Sequence, residues 1–280
     1  MDRVPNRPAG GLPEASAAQI QRLQDLARPS RQTPRQVIVE DPEPICTCLR
    51  FGVEVGEVYV EAGQTVPPEL LTACQTANVP LAEVPVAANT RIFKSDKRAR
   101  IFATIRVPSP PRLADLELNA HSGDLVVLDG VRIVGNIGAI IRSAFALGAG
   151  AVCLTDSELM SIADRRLLRA SRCYVFALPV VLATAAEVAG FIRSRDLGCA
   201  VFDSGGSSPV GLLGTLPRPA ALVFGSERRG PGAEFRELAG RVVSIPMRPN
   251  AESLNVSVSV GIGLAARASA GGWAVGASPS

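Results

Sequence analysis

The stretch DLVVLDGVRIVGNIGAIIRSAFALGAGAVCLTD, residues 124–156, decides the fold. It opens on DLVVLDGV (124–131), apolar at nearly every position, as a strand buried on both faces must be. A Gly-rich turn leads into a helical stretch, Ile137–Leu147, and then into a second apolar run, AVCLTD (151–156). Strand, helix and strand within roughly 30 residues make a βαβ unit, whose two strands run parallel.

Outward from this unit the alternation continues. Strands are expected at VFALPVV (175–181), CAVFDS (199–204), AALVFGSE (220–227) and RVVSIPM (241–247), with helices at Ser161–Ser171, Ala185–Arg195, Gly232–Leu238 and Leu254–Ala268. Six apolar strands alternating with helices predict an α/β fold with a parallel sheet covered on both faces. Upstream, PSPPRLADLELNAHSG (108–123) carries Pro108, Pro110 and Pro111 and reads as a linker. Before it, AAQIQRLQDLA places Ile20, Leu23 and Leu26 at helical spacing. QVIVED (36–41), EVYVEAG (57–63), a helix around PPELLTACQTAN (67–78) and VPLAEVPV (79–86) complete a small α/β domain. The expected division is a mobile tail 1–18, a small domain 19–107, the linker 108–123, a larger domain 124–270 and a C-terminal tail 271–280.

Composition excludes several functions. Across 280 residues, 47% are hydrophobic and 20% charged, which rules out wholesale disorder. A formal charge of +3 does not by itself argue for nucleic-acid binding, so that case rests on local clusters. No apolar run approaches the ~20 residues of a membrane span, and MDRVPNRPAGG is not a secretory signal. Cys46, Cys48, Cys74, Cys153, Cys173 and Cys199 have no metal-knuckle spacing and read as reduced thiols of a cytoplasmic protein. With His121 the only histidine, no metal site and no His-based triad is expected. Chemistry must come from Arg, Glu, Asn and Ser.

Ligands of an open parallel sheet sit beyond the carboxyl ends of its strands. There, neither G-x-G-x-x-G in the right context, nor G-K-[ST], nor G-x-S-x-G is found. What the turns do carry, in order, is NIGAIIR (136–142), LVFGSERRG (222–230) and SIPM…ESLNVSVS (244–259). These resemble the three signature motifs of SpoU-type RNA 2′-O-methyltransferases of the SPOUT superfamily. With FKSDKRAR (93–100) and SIADRRLLRASRCYVFALPVV (161–181), the whole chain resembles the thiostrepton/nosiheptide-resistance 23S rRNA methyltransferases.

That resemblance implies a C-terminal α/β domain with a deep trefoil knot, an exception to the usual topology rules, behind a ribosomal-protein-like RNA-binding domain. It implies a cytoplasmic homodimer using S-adenosyl-L-methionine. Phe202, Asp203, Gly225, Ser226, Ile245, Met247 and Leu254 are the implied cofactor contacts; apolar side chains beside glycine suit an adenine slot. Arg142 is the implied central catalytic residue, with Asn136, Glu227, Ser253 and Asn255 around it. A guanidinium is never deprotonated in proteins. Arg142 is therefore expected to hold the target phosphate and 2′-oxygen rather than act as a base, with Glu227 orienting it.

Local basic clusters then read as RNA contacts: Phe93, Lys94, Lys97 and Arg98, with Arg91, Arg100 and a second ring, Phe102; Arg165, Arg169 and Arg172, expected on one helical face; and Arg28 with Arg31. The implied reaction is methylation of an adenosine 2′-hydroxyl in the GTPase-centre stem-loop of 23S rRNA, conferring thiopeptide resistance. The alternatives are methylation of tRNA or another rRNA site, and an RNA-binding protein without catalysis.

Overall fold

A computed structural model of the chain describes residues 11–28, 35–94, 98–119, 123–226 and 229–270. Arg31, Lys97, His121, Glu227 and the segment 271–280 lie outside the described residues. The chain divides into two compact units, 1–109 with 163–176, and 110–162 with 177–280.

The first unit contains α1 (Ala17–Leu26), β1 (Gln36–Glu40), α2 (Pro42–Arg50), β2 (Val55–Glu61), α3 (Pro68–Thr76), β3 (Leu81–Val84), α4 (Val86–Phe93) and β4 (Ile101–Arg106). Its sheet runs β1-β4-β2-β3. The expected tail ends before residue 18: Ala15 N donates to Glu83 O and Glu83 N to Pro13 O, which joins this stretch to β3, and Ser16 caps α1 through a capping box with Gln19. Helices α2 and α4 escape a reading by proline punctuation. Pro42 opens α2 and Pro85 precedes α4, positions where a missing N–H costs nothing.

In the second unit, β5 (Leu125–Asp129) leads through α5 (Val134–Ala146) into β6 (Ala151–Thr155). The chain then contributes α6 (Arg165–Ser171) to the first unit before returning as β7 (Val180–Leu182), α7 (Ala185–Ser194), β8 (Gly198–Phe202), β9 (Ser208–Pro209), β10 (Ala220–Gly225), α8 (Ala233–Arg236), β11 (Arg241–Ser244) and α9 (Val256–Ala270). The sheet has seven strands, not six, in the order β7-β6-β5-β10-β8-β11-β9, and every pairing is parallel. On one face, Leu125, Val127, Cys153, Val201 and Val223 pack with Val188, Ala189 and Ile192 of α7 and Phe235 of α8; α5 and α9 pack together and against the strands.

Three expectations are corrected. The segment 108–123 is not a free linker: Leu116 is buried in the second unit's core with Leu113 and Leu118 beside it, because three leucines gain more from burial than prolines lose by rigidity. The run 175–181 forms a 3₁₀ turn at Tyr174–Phe176 and a strand only from Val180, since Pro179 cannot donate to a ladder. The helix expected from Ser161 starts at Arg165, where Asp164 caps it, and Arg172 lies beyond its end at φ 50°, off the face shared by Arg165 and Arg169.

Candidate active site

A cleft opens at the carboxyl ends of β8, β10 and β11, where ligands of a parallel sheet bind. Phe202, Asp203 and Ser204 come from the end of β8, Phe224 and Gly225 from β10, and Val243, Ile245 and Met247 from β11 and its turn. Ser253 and Leu254 approach from the loop before α9, Val256 and Ser259 from its first turn. The Phe202 and Phe224 rings stack with centroids 4.1 Å apart. They fit under α9 because residue 263 is glycine: a Cβ there would stand 2.7 Å from Phe202 Cζ.

Close backbone approaches around the cleft leave no room for side chains at two glycines. A Cβ on Gly225 would meet Gly230 C at 1.9 Å, and one on Gly206 would meet Val243 C at 2.7 Å. The turns are also tied by side chains. Asp129 Oδ2, at the end of β5, accepts from Gly232 N (2.7 Å), and Asp129 Oδ1 accepts from the Thr155 hydroxyl (2.6 Å). Asp203 Oδ1 accepts from Gly205 N (2.9 Å), and Asp203 Oδ2 accepts from Arg236 Nη2 (2.6 Å). The Gly205 amide and the Arg236 guanidinium hold the Asp203 carboxyl below the usual carboxylate range.

The first and third motifs meet directly. Asn255 Nδ2 donates to Asn136 Oδ1 (3.2 Å), and Asn255 Oδ1 accepts from Ser257 N (2.8 Å), so one amide caps α9 and holds the first turn of α5. Arg142, two turns along α5, is exposed, and its side chain makes no hydrogen bond or ion pair among the described residues. Neither Arg142 nor Asn136 lines the cleft.

Six of the seven expected cofactor contacts line the cleft, as does Ser253. Ser226 does not: its carbonyl accepts from Gly230 N (2.8 Å) and its hydroxyl from Arg229 N, so it is spent on its own turn. Ser204, Phe224, Val243, Val256 and Ser259 escaped the sequence reading. Phe224, Val256 and Ser259 lie inside the second and third motifs, and that was a usable signal. Arg236 carries none.

The basic clusters are largely committed elsewhere. Arg98 Nε donates to the buried Glu61 (2.9 Å), which also accepts from Asn89 Nδ2 (2.6 Å). Burial alone would raise the Glu61 pKa, but Asn89, Arg98 and Arg100 hold it below the ordinary value. Arg165 pairs with Glu40 (2.7 Å) and lies over the Phe93 ring, while Arg172 pairs with Glu43 (2.7 Å) and Arg28 with Asp25 (2.9 Å). Phe102 is fully buried and packs edge-on to Phe93 and stacked on Tyr59, so its ring offers no base-stacking face. Arg91, Lys94, Arg100 and Arg169 remain on the surface. Among the described residues no group of His, Cys, Asp or Glu is placed to hold a metal ion, and no helix is long and apolar enough to cross a membrane.

Comparison with known proteins places these features in context. Residues 124–265 match the model of the SpoU rRNA Methylase family, and residues 11–119 match that of the thiostrepton-resistance methylase N terminus. The chain is 47% identical over 249 residues to a 23S rRNA (adenosine(1067)-2′-O)-methyltransferase of Streptomyces laurentii, covering 89% of this chain and 92% of the relative. It is 45% identical over 245 residues to the enzyme of the same description from Streptomyces azureus, covering 88% and 90%. Among solved structures, an RNA 2′-O ribose methyltransferase aligns with a TM-score of 0.76 at 27% identity, over 91% of this chain and 97% of that one. The SpoU methyltransferase AviRb of Streptomyces viridochromogenes, in complex with AdoMet, shares the fold, with a TM-score of 0.73 at 22% identity over 91% and 98%.

Proposed function

The chain belongs to the SpoU rRNA methylase family, and from that premise we propose that it transfers a methyl group from S-adenosylmethionine to the ribose 2′-hydroxyl of an adenosine in the GTPase-centre stem-loop of 23S rRNA. The methylated ribose then protects the ribosome, in the cytoplasm, from thiopeptide antibiotics. One observation carries the reading. Residues of the second and third motifs converge on one cleft at the strand ends, and the first and third motifs are joined by the Asn255–Asn136 hydrogen bond.

The cleft residues fit the cofactor. Phe202, Phe224, Ile245 and Leu254 offer apolar walls for adenine, while Asp203, Ser204 and Ser253 offer acceptors and donors for ribose hydroxyls and the charged amino-acid end. When bound, S-adenosylmethionine supplies an already activated, electrophilic methyl group. The protein's task is then to place the 2′-hydroxyl and manage its proton. Arg142, uncommitted on α5, binds the adjacent phosphate and stabilises the developing alkoxide while the proton leaves to a phosphate oxygen or water. Asn136 and Asn255 hold the helix starts that frame the site, Ser253 presents a hydroxyl at the cleft, and Glu227 orients Arg142.

The same reading includes a trefoil knot, supported by the close backbone approach of Gly206 to Val243, and a homodimer, supported by exposed Phe145 and Val258 on α5 and α9. It makes the first unit a ribosomal-protein-like RNA-binding domain, with Arg91, Lys94, Arg100 and, on α6, Arg169 on its surface for phosphate contact.

Incubation with tritiated S-adenosylmethionine and 23S rRNA fragments, followed by mapping of the labelled ribose, tests the assignment. Label on the stem-loop adenosine is expected. Label on tRNA alone moves the substrate and leaves the enzyme class; no label on any RNA returns the chain to RNA binding without catalysis.

A further inference from the structure

We propose that Arg236 is a positioning residue for cofactor binding, acting through Asp203 as a clasp between the turn after β8 and the turn after β10. The inference rests on the methyltransferase reading above.

Arg236 sits at the end of α8 and does not line the cleft. Its guanidinium reaches two partners on different turns: Nε donates to Pro231 O (2.9 Å) and Nη2 to Asp203 Oδ2 (2.6 Å). Asp203 does line the cleft, and its other oxygen accepts from Gly205 N within its own turn (2.9 Å). Both carboxylate oxygens are thus held, each with a further lone pair left to accept from a ligand hydroxyl. The clasp lies across Gly230, whose φ is 64°; a Cβ there would stand 3.0 Å from Arg236 Nη2 and 3.6 Å from Asp203 Oδ2. Beneath it the backbones already touch, since Gly225 has no space for a side chain against Gly230. A planar fork with fixed donor directions suits this work better than an ammonium.

Half exposed, such a pair adds little to global stability. What it supplies is direction: one carboxylate at the cleft rim kept charged and fixed in orientation. The depressed Asp203 pKa agrees with that.

The test measures affinity for S-adenosylhomocysteine by calorimetry on the full-length protein, together with the KM values for cofactor and RNA. Arg236→Gln is expected to weaken binding about tenfold, with the loss on the cofactor's KM rather than on the RNA's. Asp203→Asn is expected to lose at least as much, since it also alters a group that faces the ligand, and the double variant to be no worse than Asp203→Asn alone, because both changes break the same link. Arg236→Lys, which keeps the charge but loses the fork, should recover part of the affinity, and it replaces the Gln variant in the cycle if that protein melts early. Wild-type affinity in Arg236→Gln, or losses that multiply in the double variant, would overturn the proposal. Absence of binding by the unaltered protein would instead overturn the methyltransferase reading on which it stands.

Discussion

Arg142 and Arg98, which is bound to the buried Glu61, show how the same charged group serves opposite ends. Arg142 is exposed on α5 with no carboxylate claiming it among the described residues, so its fork is available to a phosphate and a developing oxyanion. Removing such a donor costs about 10²–10³ in kcat, and Arg142→Ala is expected to lose turnover on that scale. Arg142→Lys should remain well below normal, and near-normal turnover by single-turnover kinetics would refute a bidentate role. Glu61 is buried and satisfied by Asn89 and Arg98. Its folded pKa lies below the ordinary value, so its carboxylate contributes stability above the unfolded value and loses that contribution as pH falls through the folded one. Glu61→Gln is expected to lower stability at neutral pH by about 3 kcal/mol, the scale for breaking a buried pair. It should also flatten the acid side of a melting-temperature profile. A variant that melts like the parent at every pH would show that the pair carries no weight. The motif around Arg142 marked that residue in the sequence, but nothing local to Arg98 showed that it is spent on Glu61, a partner 37 residues away.

At the scale of elements, α9 does two things at its two ends. Its first turn supplies Val256 and Ser259 to the cleft. Near its last turn Arg267 is buried, pairing with Asp124 through both oxygens (2.7 Å each) and donating to the carbonyl of Leu213 (2.8 Å). Arg267→Ala leaves Asp124 buried without that partner and is expected to cost about 3–5 kcal/mol, read by urea denaturation; a loss under 1 kcal/mol would contradict the burial argument. Gly263, between the two ends, admits the stacked Phe202 and Phe224 rings. Gly263→Ala is expected to push those rings toward the cofactor cleft, with overpacking costing about 1–3 kcal/mol and cofactor affinity falling more than RNA affinity. Unchanged calorimetric binding of S-adenosylhomocysteine would rule out the ring displacement. The elements themselves were legible where burial on two faces made long apolar runs, as in β5, β6, β8 and β10. They were illegible where proline disguised a helix start, as in α2 and α4, or where a turn replaced half of an apolar run, as at Tyr174–Phe176.

For the molecule as a whole, the cations left on the surface of the first unit frame the question of RNA affinity. Removing one cation that neutralises a phosphate lowers the salt dependence of log K by roughly 0.7–0.9. Replacing Arg91, Lys94 and Arg169 by Ala is expected to reduce that slope by about 2–3 in a filter-binding titration, whereas an unaltered slope would move the RNA interface elsewhere. The parallel α/β plan, the order of the three motifs and most of the cleft's lining were determined by the sequence alone. Apolar runs bounded by turns dictate which segments must be buried, and local motif spacing survives in one dimension. Which arginines are spent inside the protein, the burial of Phe102, the docking of Leu116 and the reach of Arg236 to Asp203 were decided only by tertiary structure. Each of these depends on a partner from a distant part of the chain, and it is the packing of the elements, with no signature in the local sequence, that brings the two within hydrogen-bonding or van der Waals distance.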